Sequence, residues 1–177
     1  MQQHLSPWMI ESAYRYLTAA KHLLRVDNMM GIAQVNAALG LEILLKSFNS
    51  KPSGDIGQVY ETQKLNFRPI VKAHKQLKAM GKIQPECRKT DRHDLLTLFY
   101  AIPEDLRRRV GLDLYEQDIE QYRDVFTKSR YRYERKTKRS TSDILVRVLD
   151  EVIGKTIEWY CEQGCEDAYI RHLGKTV

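Results

Sequence analysis

Arg88-Lys89-Thr90-Asp91-Arg92-His93-Asp94-Leu95-Leu96-Thr97-Leu98-Phe99-Tyr100-Ala101-Ile102-Pro103-Glu104-Asp105-Leu106 is the most instructive run of the chain. Leu95, Leu98, Phe99 and Ile102 recur at helical spacing on one face. Thr90 or Asp91 offers a short side-chain oxygen to an orphan backbone N–H, so either can serve as the N-cap. Pro103 cannot continue that helix, because it lacks an N–H and clashes with the preceding turn. It can open a second one, with Glu104 and Asp105 at the positive end of the new helix dipole. The run therefore predicts a buried helix, a break and another helix, with His93 at the first entrance.

The rest of the chain extends this helical pattern. Among 177 residues only 9 are Gly and 5 are Pro, so breakers are scarce between the apolar-periodic stretches. An all-helical protein follows, with one domain over residues 1–164 and a C-terminal tail over 165–177. Hydrophobic residues make up 42% and charged residues 29%, which is ordinary globular material. No run approaches the ~20 apolar residues of a membrane span, and the first residues carry no basic-then-apolar signal segment. The net charge of +6 and a pI near 9.2 admit an anionic partner. Cys87, Cys161 and Cys165 are an odd set without framework spacing, which predicts reduced thiols in a cytoplasmic setting. Cys161 and Cys165 with His172 lack the second ligand pair of a zinc site, so neither metal nor cofactor is expected.

Ser6-Pro7 predicts the start of a first helix, with Ile10, Ala13, Leu17, Ala20 and Leu24 as its inner stripe. Asp27-Asn28 should break it and cap a second helix from about Met29 to Phe48. That helix is apolar nearly all round and so should be central. Residues 49–66, rich in breakers, predict a loop or small insertion, part of which packs, and no sheet is expected. A helix from about Pro69 to Met80 should end at Gly81. After Gly111, Tyr115, Ile119, Tyr122, Phe126, Ser129 and Tyr133 alternate by four and three, predicting one long helix with Asp113 as a possible cap. Ser142 or Thr141 should cap the last long helix, with Leu145, Val148, Leu149, Val152, Ile153, Ile157 and Tyr160 inside and Gly164 at its end. The tail can dock through Tyr169, Ile170 and Leu173.

Two features carry possible chemistry. Glu42 lies in the most apolar helix. It either occupies a solvent-facing edge or is buried in a polar network with Arg130, Arg132 or His93, since an unpaired buried carboxylate is costly. Residues 128–139 hold seven basic residues and one acid, with Lys128, Arg130, Arg132, Arg135 and Lys136 interleaved with Tyr131 and Tyr133. This run is either a solvated helix end or an RNA- or anion-binding surface on which the tyrosines stack bases. Gly54 and Gly57 lack the lysine and strand context of a phosphate loop.

Three pieces read together: Asn36 to Lys46 in the apolar helix, Arg92-His93-Asp94-Leu95 through Pro103, and Phe126 to Glu134 with Ser-Arg-Tyr-Arg-Tyr-Glu at its centre. In this order the chain resembles the HEPN superfamily, and most of all its small stand-alone bacterial branch. The resemblance spans roughly residues 6–160. It implies an up-down helical bundle of four to five long helices plus short ones, and frequent two-fold homodimers. It also implies engagement of RNA, nucleotide or a partner protein, often in bacterial toxin or phage-defence systems. Active members are metal-independent endoribonucleases with an Arg, a gap of four to six residues, then a His. Arg88 and His93 fit that spacing, as do Arg15 with His22 and Arg68 with His74. The implied roles are proton transfer by His93 and charge stabilisation by Arg88, at a cleft shared by two subunits.

Overall fold

The computed structural model describes residues 5–55, 61–125 and 142–175. The chain is mostly helical, as its breaker distribution requires. Helix α1 (Pro7–Leu23) begins with Pro in its first turn, and α2 (Met30–Ser47) follows a short connection in which Asn28 takes a left-handed φ of 61°. Neither helix start has the side-chain cap expected for it. The Ser6 hydroxyl bonds elsewhere, and Met29, not Asn28, occupies the cap position of α2.

Of the loop or small insertion expected at 49–66, the described residues form a small insertion of two paired strands. Strands β1 (Ser50–Gly54) and β2 (Thr62–Leu65) pair antiparallel, with Ser50 opposite Leu65, Lys51 opposite Lys64, and an irregularity between Pro52 and Gly54. This corrects the expectation of no sheet. The strands carry no apolar alternation to announce them. Backbone pairing holds them, together with the buried Ser6, whose Oγ donates to Gln63 Oε1 at 2.9 Å.

Helix α3 (Phe67–Ala79) is capped by Asn66, whose side chain accepts the Arg68 N–H, and it ends at Gly81. There Lys82 N donates to Leu77 O at 2.9 Å and Gly81 N to Lys78 O at 3.0 Å, a Schellman closure that uses the glycine's φ of +72°. Helices α4 (Leu95–Tyr100) and α5 (Glu104–Arg109) flank Pro103. The long helix expected after Gly111 is instead a 3-10 turn (Leu112–Tyr115), a short α6 (Glu116–Gln121) and a turn through residues 122–124. The turn is imposed by tertiary bonds, since the Arg123 carbonyl accepts the Leu95 N–H at 3.2 Å. The stripe positions Phe126, Ser129 and Tyr133 lie outside the described residues.

Helix α7 (Ile144–Glu162) buries all seven residues of its predicted stripe, and the Ser142 hydroxyl accepts the Ile144 N–H at 3.2 Å. Helix α8 (Ala168–Leu173) folds the tail back through buried Ile170 and Leu173. The core sits where α1, α2 and α7 meet, with α4 packed against α2 and α3. Among the described residues no helix is long and apolar enough to cross a membrane.

Candidate functional site

The residue that caps α4 is Asp94, not Thr90 or Asp91. Its Oδ2 accepts the Thr97 N–H at 3.3 Å and also the Thr97 hydroxyl. Asp91 is otherwise engaged: its Oδ1 accepts the His93 N–H at 2.8 Å in a tight local turn. His93 is thus fixed immediately outside the helix. Arg123 grips Asp94 from the opposite side, with Nε donating to Oδ1 at 2.7 Å and Nη2 to Oδ2 at 2.5 Å. Such a two-pronged contact fixes orientation as well as energy. Arg123 Nη1 also donates to the Lys82 carbonyl at 2.8 Å. Burial is the largest influence on Arg123 and opposes its charge, but its hydrogen bonds to Asp94 together with the negative charges of Asp94, Glu120 and Asp124 outweigh burial and raise its pKa.

Glu42 enters from α2. Its side chain is only 7% exposed, so the solvent-edge reading fails. Oε1 accepts from Lys46 Nζ at 2.5 Å and lies 3.0 Å from His93 Nδ1. A carboxylate is an acceptor, so Nδ1 carries the proton in this contact. Oε2 is buried with no partner among the described residues. Desolvating a carboxylate costs several kcal/mol, and here Lys46 and His93 offset that cost together.

His93 keeps 44% of its side chain exposed despite this anchor. With Cys87, Asp91, Asp94 and Arg123, and with His74 from α3, it lines a hollow of about 190 Å³. His74 is buried, with Nε2 3.4 Å from the Cys87 carbonyl. An imidazole oriented by a buried carboxylate and open to a hollow is arranged to exchange a proton or a hydrogen bond with a bound group.

The sequence-predicted residues divide. Glu42 and His93 are brought together. Arg88 is exposed, makes no hydrogen bond or ion pair with another described residue, and does not line the hollow. Of the other two Arg–His spacings, only the second places its histidine, His74, at the hollow. Lys128, Arg130, Arg132, Arg135 and Lys136 lie outside the described residues, so the partners described for Glu42 are Lys46 and His93. Lys46 was missed; its only signal is the i,i+4 spacing from Glu42, which more often marks a solvated face. Asp94 was legible from its spacing to Thr97. Arg123 gave no signal, because it sits off the aromatic stripe that dominates its neighbourhood. No family model matches the chain, and neither a curated protein nor a solved structure matches it significantly.

Proposed function

We propose that the chain is a HEPN-like, up-down helical bundle protein that binds RNA or nucleotide and works as a two-fold homodimer. One contact carries this reading. Glu42 and Lys46 belong to the first sequence piece of the resemblance and His93 to the second, and they meet at one ion-paired cluster although 51 residues separate Glu42 from His93. Local packing alone does not require a buried carboxylate and a half-buried lysine behind a histidine that opens on a hollow, and functional sites are where such exceptions concentrate. The homodimer draws support from apolar side chains left exposed at the α1–α2 connection and the first turn of α2, Val26 at 52%, Met29 at 38%, Met30 at 39% and Ile32 at 41%. A gel shift with a labelled RNA tests the binding: a shift that weakens steeply with added salt is expected. An RNA that stays unshifted at low salt sinks the reading.

A second reading, metal-independent endoribonuclease, is favoured by the anchoring of His93 Nδ1 on buried Glu42. In that reading His93 moves the proton of a ribose 2′-hydroxyl and exposed Arg88 holds the phosphate oxygens. Incubating the same RNA in EDTA is the test. Products ending in 2′,3′-cyclic phosphate, lost in His93→Ala and in Arg88→Ala, are expected of it. Intact RNA leaves the binding reading alone.

A further inference from the structure

The His93 hollow is small. Elsewhere, two larger clefts join at the root of the β hairpin. One, of about 660 Å³, lies between the start of α3 and the α4–α5 break, and the other, of about 790 Å³, lies between that same start and the two strands. Phe48, Asn49 and Arg68 line both, so the two form one continuous depression. Its charge is one-sided. Lys51, Lys64, Arg68 and Lys72 are all exposed, and none has an acidic partner among the described residues. The fifth cation of the lining, Arg107, is already held by Asp113 at 3.1 Å and stacked over Phe99. The lone acid of the lining among the described residues, Glu104, is paired with Arg108.

The hairpin itself shows a conflict that folding does not explain. Lys51 and Lys64 are direct cross-strand partners. Like charges directly opposite on an antiparallel pair destabilise it. A two-stranded ribbon has little stability to spare, so a ligand that neutralises both lysines would remove a standing cost. Beside them Phe67 is 40% exposed, and Phe48 and Tyr100 rim the depression. Flat rings next to uncompensated cations suit a chain of phosphates whose bases are free to stack.

We infer that this depression is a track for the backbone of single-stranded RNA, separate from the His93 hollow, with Lys51, Lys64, Arg68 and Lys72 on the phosphates and Phe67 against a base. The inference rests on the RNA-binding reading and locates its main contact surface. It gives the hairpin a task, since β1 and β2 present two of the four cations. Each phosphate neutralised contributes about −0.7 to the slope of log affinity against log salt for a single strand.

The test is fluorescence anisotropy of a short labelled oligouridylate over a salt series, with the full chain. Lys64→Ala/Arg68→Ala should make the slope shallower by about 1.4. Lys51→Ala/Lys72→Ala, on the other flanks of the depression, should do the same and covers the case in which the first pair fails to fold. Arg171→Ala/Lys175→Ala, at the far end of α8, removes equal charge and should leave the slope unchanged. Lys64→Glu, which places opposite charges across the strands, should raise the melting temperature while weakening RNA binding. Both track variants binding with the wild-type slope would overturn the inference and leave the RNA-binding reading standing. A wild-type protein without salt-dependent binding removes both. A poly-glutamate peptide that displaces the RNA at matched charge overturns it in favour of an acidic protein partner.

Discussion

Glu42 shows how one residue is fixed by what surrounds it. Position 42 faces inward between helix turns that bury Leu41, Leu44 and Leu45 completely. A carboxylate there has little water to lean on, and among the described residues its Oε1 is met by Lys46 one turn later and by His93 across the helix interface. Glu42→Ala removes the acceptor but leaves the Lys46 ammonium, 16% exposed, without an anion. The expected loss is about 3–5 kcal/mol, the usual cost of breaking a buried pair from one side. Urea denaturation checks it, with an unchanged midpoint as the contrary result. Glu42→Gln should fall between, because it retains a hydrogen-bond acceptor. Part of this was readable from residues alone: an acid inside an apolar helix demands partners, and His93 was among those available. That Lys46 shares the work was hidden by its own ambiguity, since an i,i+4 lysine usually marks a solvated face.

At the scale of elements, α1, α2 and α7 pack so closely that one position tolerates no side chain. A Cβ at Gly40 would lie 2.6 Å from Leu149 Cδ2, 3.1 Å from the Ala13 carbonyl and 3.2 Å from Tyr16 Cβ. Two helices therefore press on α2 at the same turn. Gly40→Ala gains about 1 kcal/mol of helix propensity and pays an overpacking cost of about 1–3 kcal/mol. Net destabilisation is expected, seen as a lower melting temperature, whereas a higher one would mean that Leu149 repacks freely. Long helices of this kind were legible because apolar period, Pro7 at a start, and Gly81 and Gly164 at ends all agree. The hairpin was not, because Ser50-Lys51-Pro52-Ser53-Gly54 has neither apolar alternation nor strand-forming side chains, and its anchor, Ser6, lies 44 residues from Ser50. The break after Gln121 was not legible either. Tyr115, Ile119 and Tyr122 continue a helical period straight into it, and only the bonds from Arg123 to Asp94 and Leu95 turn the chain aside. Those bonds join two runs whose separation no local pattern encodes, so the entrance to the candidate site was visible from sequence and its far wall was not.

For the whole molecule, the entry to α1, the hairpin and the end of α7 close on a single side chain. Tyr160 is 1% exposed, and its hydroxyl oxygen accepts the Ser6 N–H at 3.2 Å. The Ser6 hydroxyl in turn holds Gln63 of β2, and the Tyr160 ring stands edge-on to Trp159, which contacts Phe48 at the end of α2. Burial pushes the Tyr160 phenol up to about 12, a rise that the bond from Ser6 opposes. A phenol whose pKa is higher in the folded state than its ordinary value near 10 stabilises the fold in its neutral form. That stabilisation is fully present below pH 10 and is lost as pH rises through 10 to 12. The loss amounts to roughly 2–3 kcal/mol from this one group. Tyr115, raised to about 12 mainly by its hydrogen bond to Glu151, titrates in the same window but at the surface, where solvent screens its contribution. Tyr160→Phe separates the two. It should melt somewhat lower than wild type at pH 8, by the worth of one hydrogen bond, about 1 kcal/mol. It should also lose less stability than wild type between pH 10 and 12, because the buried titration is gone. Parallel losses of stability for the two proteins across that window would show that ionisation of buried Tyr160 does not set the alkaline limit of the fold.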